Sequence, residues 1–492
     1  MRECGILLPV SALPSKYGIG CFSHEAYEFI DQLKKAGQSY WQILPLGPTG
    51  YGDSPYQSFS SYAGNPYFID LETLVKEGLI TEKDCSMLDS GQDEERVNYG
   101  NLYTTRTVIL RKAFNSFKGG ADYNEFISEN AFWLDDYCLY MAIKTENDGE
   151  SFLNWQEEYR NRDKKTLEKA KKELASEIEF YQFQQYEFYK QWNNLHKYAN
   201  KNNIKIIGDI PIYVALDSSD TWAEPLLYQF DSNNLPQAVS GCPPDGFSKT
   251  GQLWGSPLYN WEYHKETGYK WWTDRIAHCF KLYDIVRIDH FRGFDEYYSI
   301  PYGDKNAVNG TWKKGPGKDL FETLEKNLGQ LNIIAEDLGF VTDSVRKLLE
   351  NTGFPGMKVL QLAFDEREAD NYLPYTHTRN CVVYTGTHDN NTTRGWYNDT
   401  SESCKIFIKD YLDNQYINEE NISWRMVSLA MSSVADLCII PMQDYLNLGS
   451  SARINTPSVL GNNWEWRLTK NSVGDRILDR IRSLAVTYGR TI

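Results

Sequence analysis

The sequence predicts an α/β chain folded as a single (β/α)8 TIM barrel over residues 1–492, with large insertions after strands 2 and 3 and no separate carboxyl-terminal β-domain. Three observations predict it. Short apolar runs ending in Pro, Gly or an acid recur eight times, helical patterns stand between several of them, and carboxylates accumulate where the runs end. In a parallel barrel the carboxyl ends of the strands open into the active site, so acids placed there read as chemistry rather than as solubility.

The eight runs are residues 5–10, 40–46, 204–210, 285–289, 333–336, 359–363, 382–387 and 437–442. Residues 24–36 and 344–351 carry the helical spacing expected between strands, and the residues after Trp466 read as the last barrel helix. Spacing is uneven: roughly 155 residues separate the second and third runs and roughly 75 the third and fourth, so both loops must hold insertions. The first, about 71–203, is expected to be mainly helical. Its charged stretch 160–178 places Lys164, Lys169 and Lys172 four residues from Glu168 or Glu173, as a solvated helix would, and the aromatic run 180–192 reads as a helix packing back on the barrel. The second, about 213–281, is dense in Gly, Pro and Trp and reads as a loop-rich, substrate-binding segment, with Gly241-Cys242-Pro243-Pro244-Asp245-Gly246-Phe247 as one of its turns.

Composition excludes several functions. A net charge of −16 argues against nucleic acid or an anionic membrane surface as a partner. Aromatics at 14%, with 34 Tyr and 14 Trp often beside Gly, Pro, Asn and Asp, suit an amphipathic ligand such as a sugar, although ordinary core packing accounts for most of them. Nine scattered cysteines without C-x-x-C spacing, and no long apolar run, lead to the expectation of a cytoplasmic protein with reduced thiols.

The fourth run organises the rest. In Val286-Arg287-Ile288-Asp289-His290, Arg287 and Asp289 are two apart on a strand, share one face, and point inward. A guanidinium beside a buried carboxylate holds the acid ionised, though a purely structural ion pair would look the same. Further strand-end acids weigh toward chemistry: Asp209 in Gly208-Asp209-Ile210-Pro211, Glu336 and Asp337 in Ala335-Glu336-Asp337-Leu338-Gly339, and Asp389 in Thr387-His388-Asp389-Asn390. Like charges gathered in a dry pocket push their pKa values apart, giving one acid that keeps its proton and one that loses it, as glycosidic bond cleavage requires. No metal-ligand spacing, nucleophile elbow or phosphate loop competes with this reading.

These motifs, with Gly50-Tyr51-Gly52-Asp53-Ser54-Pro55-Tyr56-Gln57 and Ala452-Arg453-Ile454-Asn455-Thr456-Pro457, give a chain that resembles the amylomaltase, or disproportionating-enzyme, family of 4-α-glucanotransferases in the α-amylase clan. The resemblance implies Asp289 as nucleophile, Glu336 as general acid/base and Asp389 as stabiliser of the distorted sugar. It implies that Asp209, Arg287 and His388 line the donor-sugar site and that Tyr56 and Trp254 offer stacking or hydrogen-bonding surfaces. Residues near Tyr259 and the Gly461-Asn462-Asn463-Trp464 loop would form lids. One departure is Leu362, where the family implies an aromatic. The implied partners are maltooligosaccharides and α-1,4-glucans, with no metal and no cofactor, in a monomer or homodimer. The alternatives are an α-glucan hydrolase on the same scaffold and a non-catalytic glucan-binding protein.

Overall fold

A computed structural model of the chain describes residues 2–88, 93–244, 248–339, 341–364 and 372–491. Eight parallel strands form its centre: β1 (Glu3–Leu7), β2 (Tyr40–Gln42), β3 (Lys205–Pro211), β6 (Ile285–Asp289), β9 (Ile333–Ala335), β10 (Gly356–Val359), β11 (Cys381–Tyr384) and β12 (Leu437–Pro441), counted along the chain. They are ordered β10-β11-β12-β1-β2-β3-β6-β9. The seam between the two end strands is bridged by the Ala335 amide donating to the Pro355 carbonyl at 3.0 Å. Asp337 reinforces it, accepting the Met357 amide at 2.7 Å.

The predicted barrel is therefore present, with three local corrections. Of the run 359–363 only Val359 lies on a strand; Leu360–Ala363 is helical, because a short apolar run without a period does not distinguish the two states. The charged stretch 160–178 is not one helix but is broken at Leu174, between Lys164–Glu173 and Ala175–Lys201. Asp337 does not join the other strand-end acids, since its side chain is committed to the seam.

Between β2 and β3 the chain is helical, with long helices at Tyr99–Ser116, Ala121–Glu146 and Ala175–Lys201. The last of these turns Phe180, Phe183, Phe188, Trp192 and Leu195 inward, at helical spacing, and anchors to the barrel through the Trp192 indole N–H on the Leu282 carbonyl at 3.1 Å. Two buried amides clamp it to the loop after β2. Gln185 accepts the Gly64 amide at 2.7 Å and donates to the Gly64 carbonyl at 2.9 Å, and Gln191 accepts the Asp70 amide at 2.7 Å. Gly64 has to be glycine, since a Cβ there would lie 2.1 Å from the Phe188 ring.

The segment between β3 and β6 holds more order than its composition suggests. Its strands β4 (Ala238–Cys242) and β5 (Gln252–Pro257) join β7 (Glu296–Pro301) and β8 (Thr311–Lys314), from the loop after β6, in an antiparallel sheet ordered β5-β4-β7-β8. Two consecutive barrel loops thus share one sheet. Asp245, Gly246 and Phe247 of the predicted turn lie outside the described residues. The last helix is Asp475–Thr487, packed on His24–Lys35. Among the described residues no helix is long and apolar enough to cross a membrane.

Candidate active site

Asp209 and Arg287 sit opposite each other on adjacent strands β3 and β6, in register. Arg287 is 3% exposed and Asp209 fully buried, and one guanidinium nitrogen, Nη1, donates to both Asp209 oxygens at 2.8 and 2.6 Å. The other arm of the guanidinium reaches Asp289 at 3.0 Å, two residues along the same face. Gly208 makes room for this arrangement, since a Cβ there would fall 2.2 Å from the Tyr283 ring. Tyr56, delivered by the loop after β2, donates its hydroxyl to Asp209 at 2.9 Å. Its ring stacks on His388 with centroids 5.2 Å apart and planes within 15°, and Trp464 tilts against both.

Glu336 follows β9 and is 9% exposed. Its two oxygens accept backbone amides, from His290 at 2.7 Å and from Leu338 at 2.6 Å. His290 can aim its N–H there because it adopts a left-handed backbone, φ 55°, an uncommon state for a non-glycine residue that the flanking contacts must hold. Burial and the neighbouring Asp289 raise the Glu336 carboxyl to about 8. Asp289 is raised less, to about 6, by burial, with Arg287 pulling the other way. Where the two compete for a proton, Glu336 holds it. Asp289 keeps 29% of its side chain open to the cleft, so it can meet a ligand.

Asp389, in the turn after β11, behaves differently. Burial would raise it, but the adjacent His388 at 3.3 Å and the Asn455 amide at 2.6 Å hold it well below the usual carboxylate range. His388 responds in kind: burial favours its neutral form, yet Asp389 raises it. Arg453 fastens the turn by donating to the Asp389 carbonyl at 2.7 Å. A cavity of about 930 Å³ opens beside Asp389, bordered by Gln252, Leu362, Trp396, Arg453 and Pro457. That is room for several sugar units. Trp254, on β5, stands edge-on to His290 at 4.7 Å on the other flank.

The structure thus gathers Asp209, Arg287, Asp289, Tyr56, His388 and Asp389 into one network and places Glu336 in electrostatic contact with it. Tyr259 itself is buried, with its hydroxyl on the Ile212 carbonyl at 2.7 Å, so it anchors the segment whose neighbouring residues are expected to form a lid. Asn455 and the backbone donors of His290 and Leu338 were given no role by sequence reasoning. Asn455 was visible only as a member of the Ala452–Pro457 motif, and amide donors have no residue-type signature.

Known proteins share this whole arrangement of chain. The family profile described as 4-alpha-glucanotransferase matches residues 8–472. A 4-alpha-glucanotransferase of Clostridium butyricum is 49% identical over 98% of this chain and 99% of its own, and one of Thermus thermophilus is 44% identical over 98% of each. The solved structure of the amylomaltase from Streptococcus agalactiae in complex with acarbose superposes with a TM-score of 0.97 at 38% identity, covering both chains completely. The chain belongs to the 4-alpha-glucanotransferase family, the amylomaltases.

Proposed function

We propose that this enzyme moves a segment of an α-1,4-glucan onto the 4-hydroxyl of glucose or another glucan by a retaining double displacement, with Asp289, Glu336 and Asp389 as its catalytic residues. The observation that carries the assignment of roles is the difference in surroundings: Arg287 meets Asp289 at 3.0 Å and holds it toward its ionised form, while Glu336, 9% exposed and bonded to backbone amides, is pushed by burial and by Asp289 to keep its proton. An ionised Asp289 oxygen attacks the anomeric carbon as the glycosidic C–O bond breaks, and Glu336 passes its proton to the departing oxygen. Glu336, now a carboxylate, then takes the proton from an acceptor hydroxyl, which attacks the same carbon and frees Asp289. Two inversions return the α configuration.

Asp389, ionised by His388 and Asn455, lies where it can bind sugar hydroxyls and favour the flattened, cationic ring of the transition state. Asp209 and Arg287, buried behind Asp289, hold it and Tyr56 in place for the donor sugar, with Tyr56 and Trp254 as flat surfaces around that sugar. The barrel and both insertions work as one catalytic unit: Gln252 and Trp254 of the second insertion border the site, and the first insertion braces the loop after β2 that delivers Tyr56. The substrates are maltooligosaccharides and α-1,4-glucans, and the working form is a cytoplasmic monomer or homodimer.

Thin-layer analysis of products from maltotriose tests the reading. A ladder of longer maltooligosaccharides is expected. Glucose and maltose alone would mean hydrolysis, and unchanged maltotriose a binding protein.

A further inference from the structure

A second cavity, of about 300 Å³, lies outside the catalytic cleft and shares none of its proposed catalytic or substrate-binding residues. It forms where the helix Ala121–Glu146 meets the segment Ser219–Leu227 and the start of the helix Lys270–Leu282. Aromatic rings make its walls: Tyr62, Phe132, Trp133, Tyr263 and Trp271. Phe132 is 56% exposed and meets Tyr62 edge-on at 5.6 Å, while Tyr62 stacks on Trp133 within 16°. An exposed phenylalanine backed by a buried stack is a rigid platform whose outer face has no partner in the core.

The charged groups between these rings are mostly acids: three are matched, and Glu224, without an ion pair among the described residues, has its carboxyl raised by burial and by Asp136. Asp274 pairs with Lys270 at 2.6 Å, Asp136 with Arg162 at 2.6 Å, and buried Asp220 accepts the Ser61 amide at 2.8 Å. Paired carboxylates have little charge left for a cation but keep lone pairs for hydroxyl donors, so the lining favours a neutral polyol over an organic ammonium ion. The volume is at the lower end of small-ligand sites and suits one or two sugar rings.

Position links the cavity to the reaction. Ser60 and Tyr62 border it on one side and, on the other, a small void of about 50 Å³ that reaches Tyr56 and Asp209. Asp220 and Ser219 fasten the same segment, through the Ser61 amide and through the Ser219 amide to the Phe59 carbonyl at 2.8 Å. We propose that this aromatic cavity is an accessory site for an α-glucan chain, engaging glucosyl units remote from the bond being transferred. The proposal rests on the glucan-transfer reading above. It makes long donors better substrates than short ones, since only a long chain occupies both sites at once.

The test compares kcat/KM on amylose and on maltotriose in the full-length enzyme. Phe132→Ala, a surface change, should lower the value for amylose about three- to tenfold, the effect of one aromatic contact, and leave maltotriose within about twofold. Ala223→Trp, which fills the cavity from the opposite wall, should do the same, and its thermal melt reports whether it folds. Unchanged amylose kinetics in Phe132→Ala, or equal losses on both substrates, would overturn the accessory site. Failure of the unmodified enzyme to lengthen maltotriose would instead overturn the function on which it rests.

Discussion

The mouth of the barrel and the helical insertion between β2 and β3 both carry partly or fully buried charge, and they balance it differently. In the insertion, buried Lys144 and Glu187 each have a counter-charge, while buried Arg106 donates to the Tyr67 and Ile69 carbonyls. Lys144 meets Asp217 at 2.6 Å, with Tyr140 donating to the same carboxylate at 2.6 Å; Lys190 meets buried Glu187 at 2.7 Å; Arg111 pairs with Glu177. At the mouth four acids, Asp209, Asp289, Glu336 and Asp389, have only Arg287 and His388 as ion-pair partners among the described residues, Arg453 reaching the Asp389 backbone carbonyl instead. Matched charge in the insertion ties its helices to one another and, through Lys144 and Asp217, to the loop after β3. Unmatched charge at the mouth forces one carboxyl to keep its proton, and a retained proton beside an ionised acid is what the reaction consumes.

The sharpest way to break this contrast is to remove the two unequal carboxyls. Glu336→Gln should lower kcat on maltotriose by about 10²–10⁴-fold, yet still form a glycosyl-enzyme from α-maltosyl fluoride, whose leaving group needs no proton. Asp289→Asn should form none. Intact-mass spectrometry reads both outcomes, and the label should map to the peptide holding Asp289. An adduct on Glu336 or Asp389 would mean the roles are exchanged.

Arg287→Ala comes next, because it strands the fully buried Asp209 without a counter-charge. The expected loss is about 3–5 kcal/mol of folding stability, read by urea denaturation. Arg287→Lys should recover only part of the loss, since one nitrogen makes the contact to Asp209 but a lone ammonium lacks the second arm that holds Asp289. In the insertion, Gln185→Ala leaves the amide and carbonyl of Gly64 without their partner, at about 1–3 kcal/mol for each group that stays buried.

The imbalance at the mouth also sets the pH response. Asp289 must be ionised to attack, so kcat/KM falls as pH drops through about 6; Glu336 must be protonated to donate, so kcat/KM falls as pH rises through about 8. The slope on either side is tenfold per unit. With a glycosyl fluoride donor the alkaline limb should disappear from the glycosylation step and the acid limb remain. The smallest effect belongs to the insertion's surface: Lys169→Ala, whose partner Glu173 is 3.7 Å away with the two side chains 70% and 57% exposed, should shift stability by less than about 0.5 kcal/mol.

How much of this was legible in the sequence varies residue by residue. Asp209, Arg287, Asp289 and Glu336 were legible because strand alternation fixes which way a side chain points and apolar runs fix where the strand ends. Asp337 was misplaced because strand logic stops at Ala335: Glu336, the next residue, still faces the site, while Asp337 turns to the Met357 amide. Tyr56 and His388 were named from a motif, but their ring-on-ring contact joins residues more than three hundred positions apart and has no local trace.

By itself, the sequence determined the barrel strands other than Gly356–Val359, the two insertions and the acids at the strand ends other than Asp337, since each follows from local period and residue type. Tertiary structure alone decided the rest. The β5-β4-β7-β8 sheet pairs segments on either side of β6, and short polar strands in such loops carry little alternation to reveal it. The partners of Glu336 are backbone amides, which every residue but proline has, so no residue type announces them. The difference in proton affinity between Asp289 and Glu336 depends on burial and on distances to Arg287 and to each other, quantities that exist only once the strands have closed into a barrel.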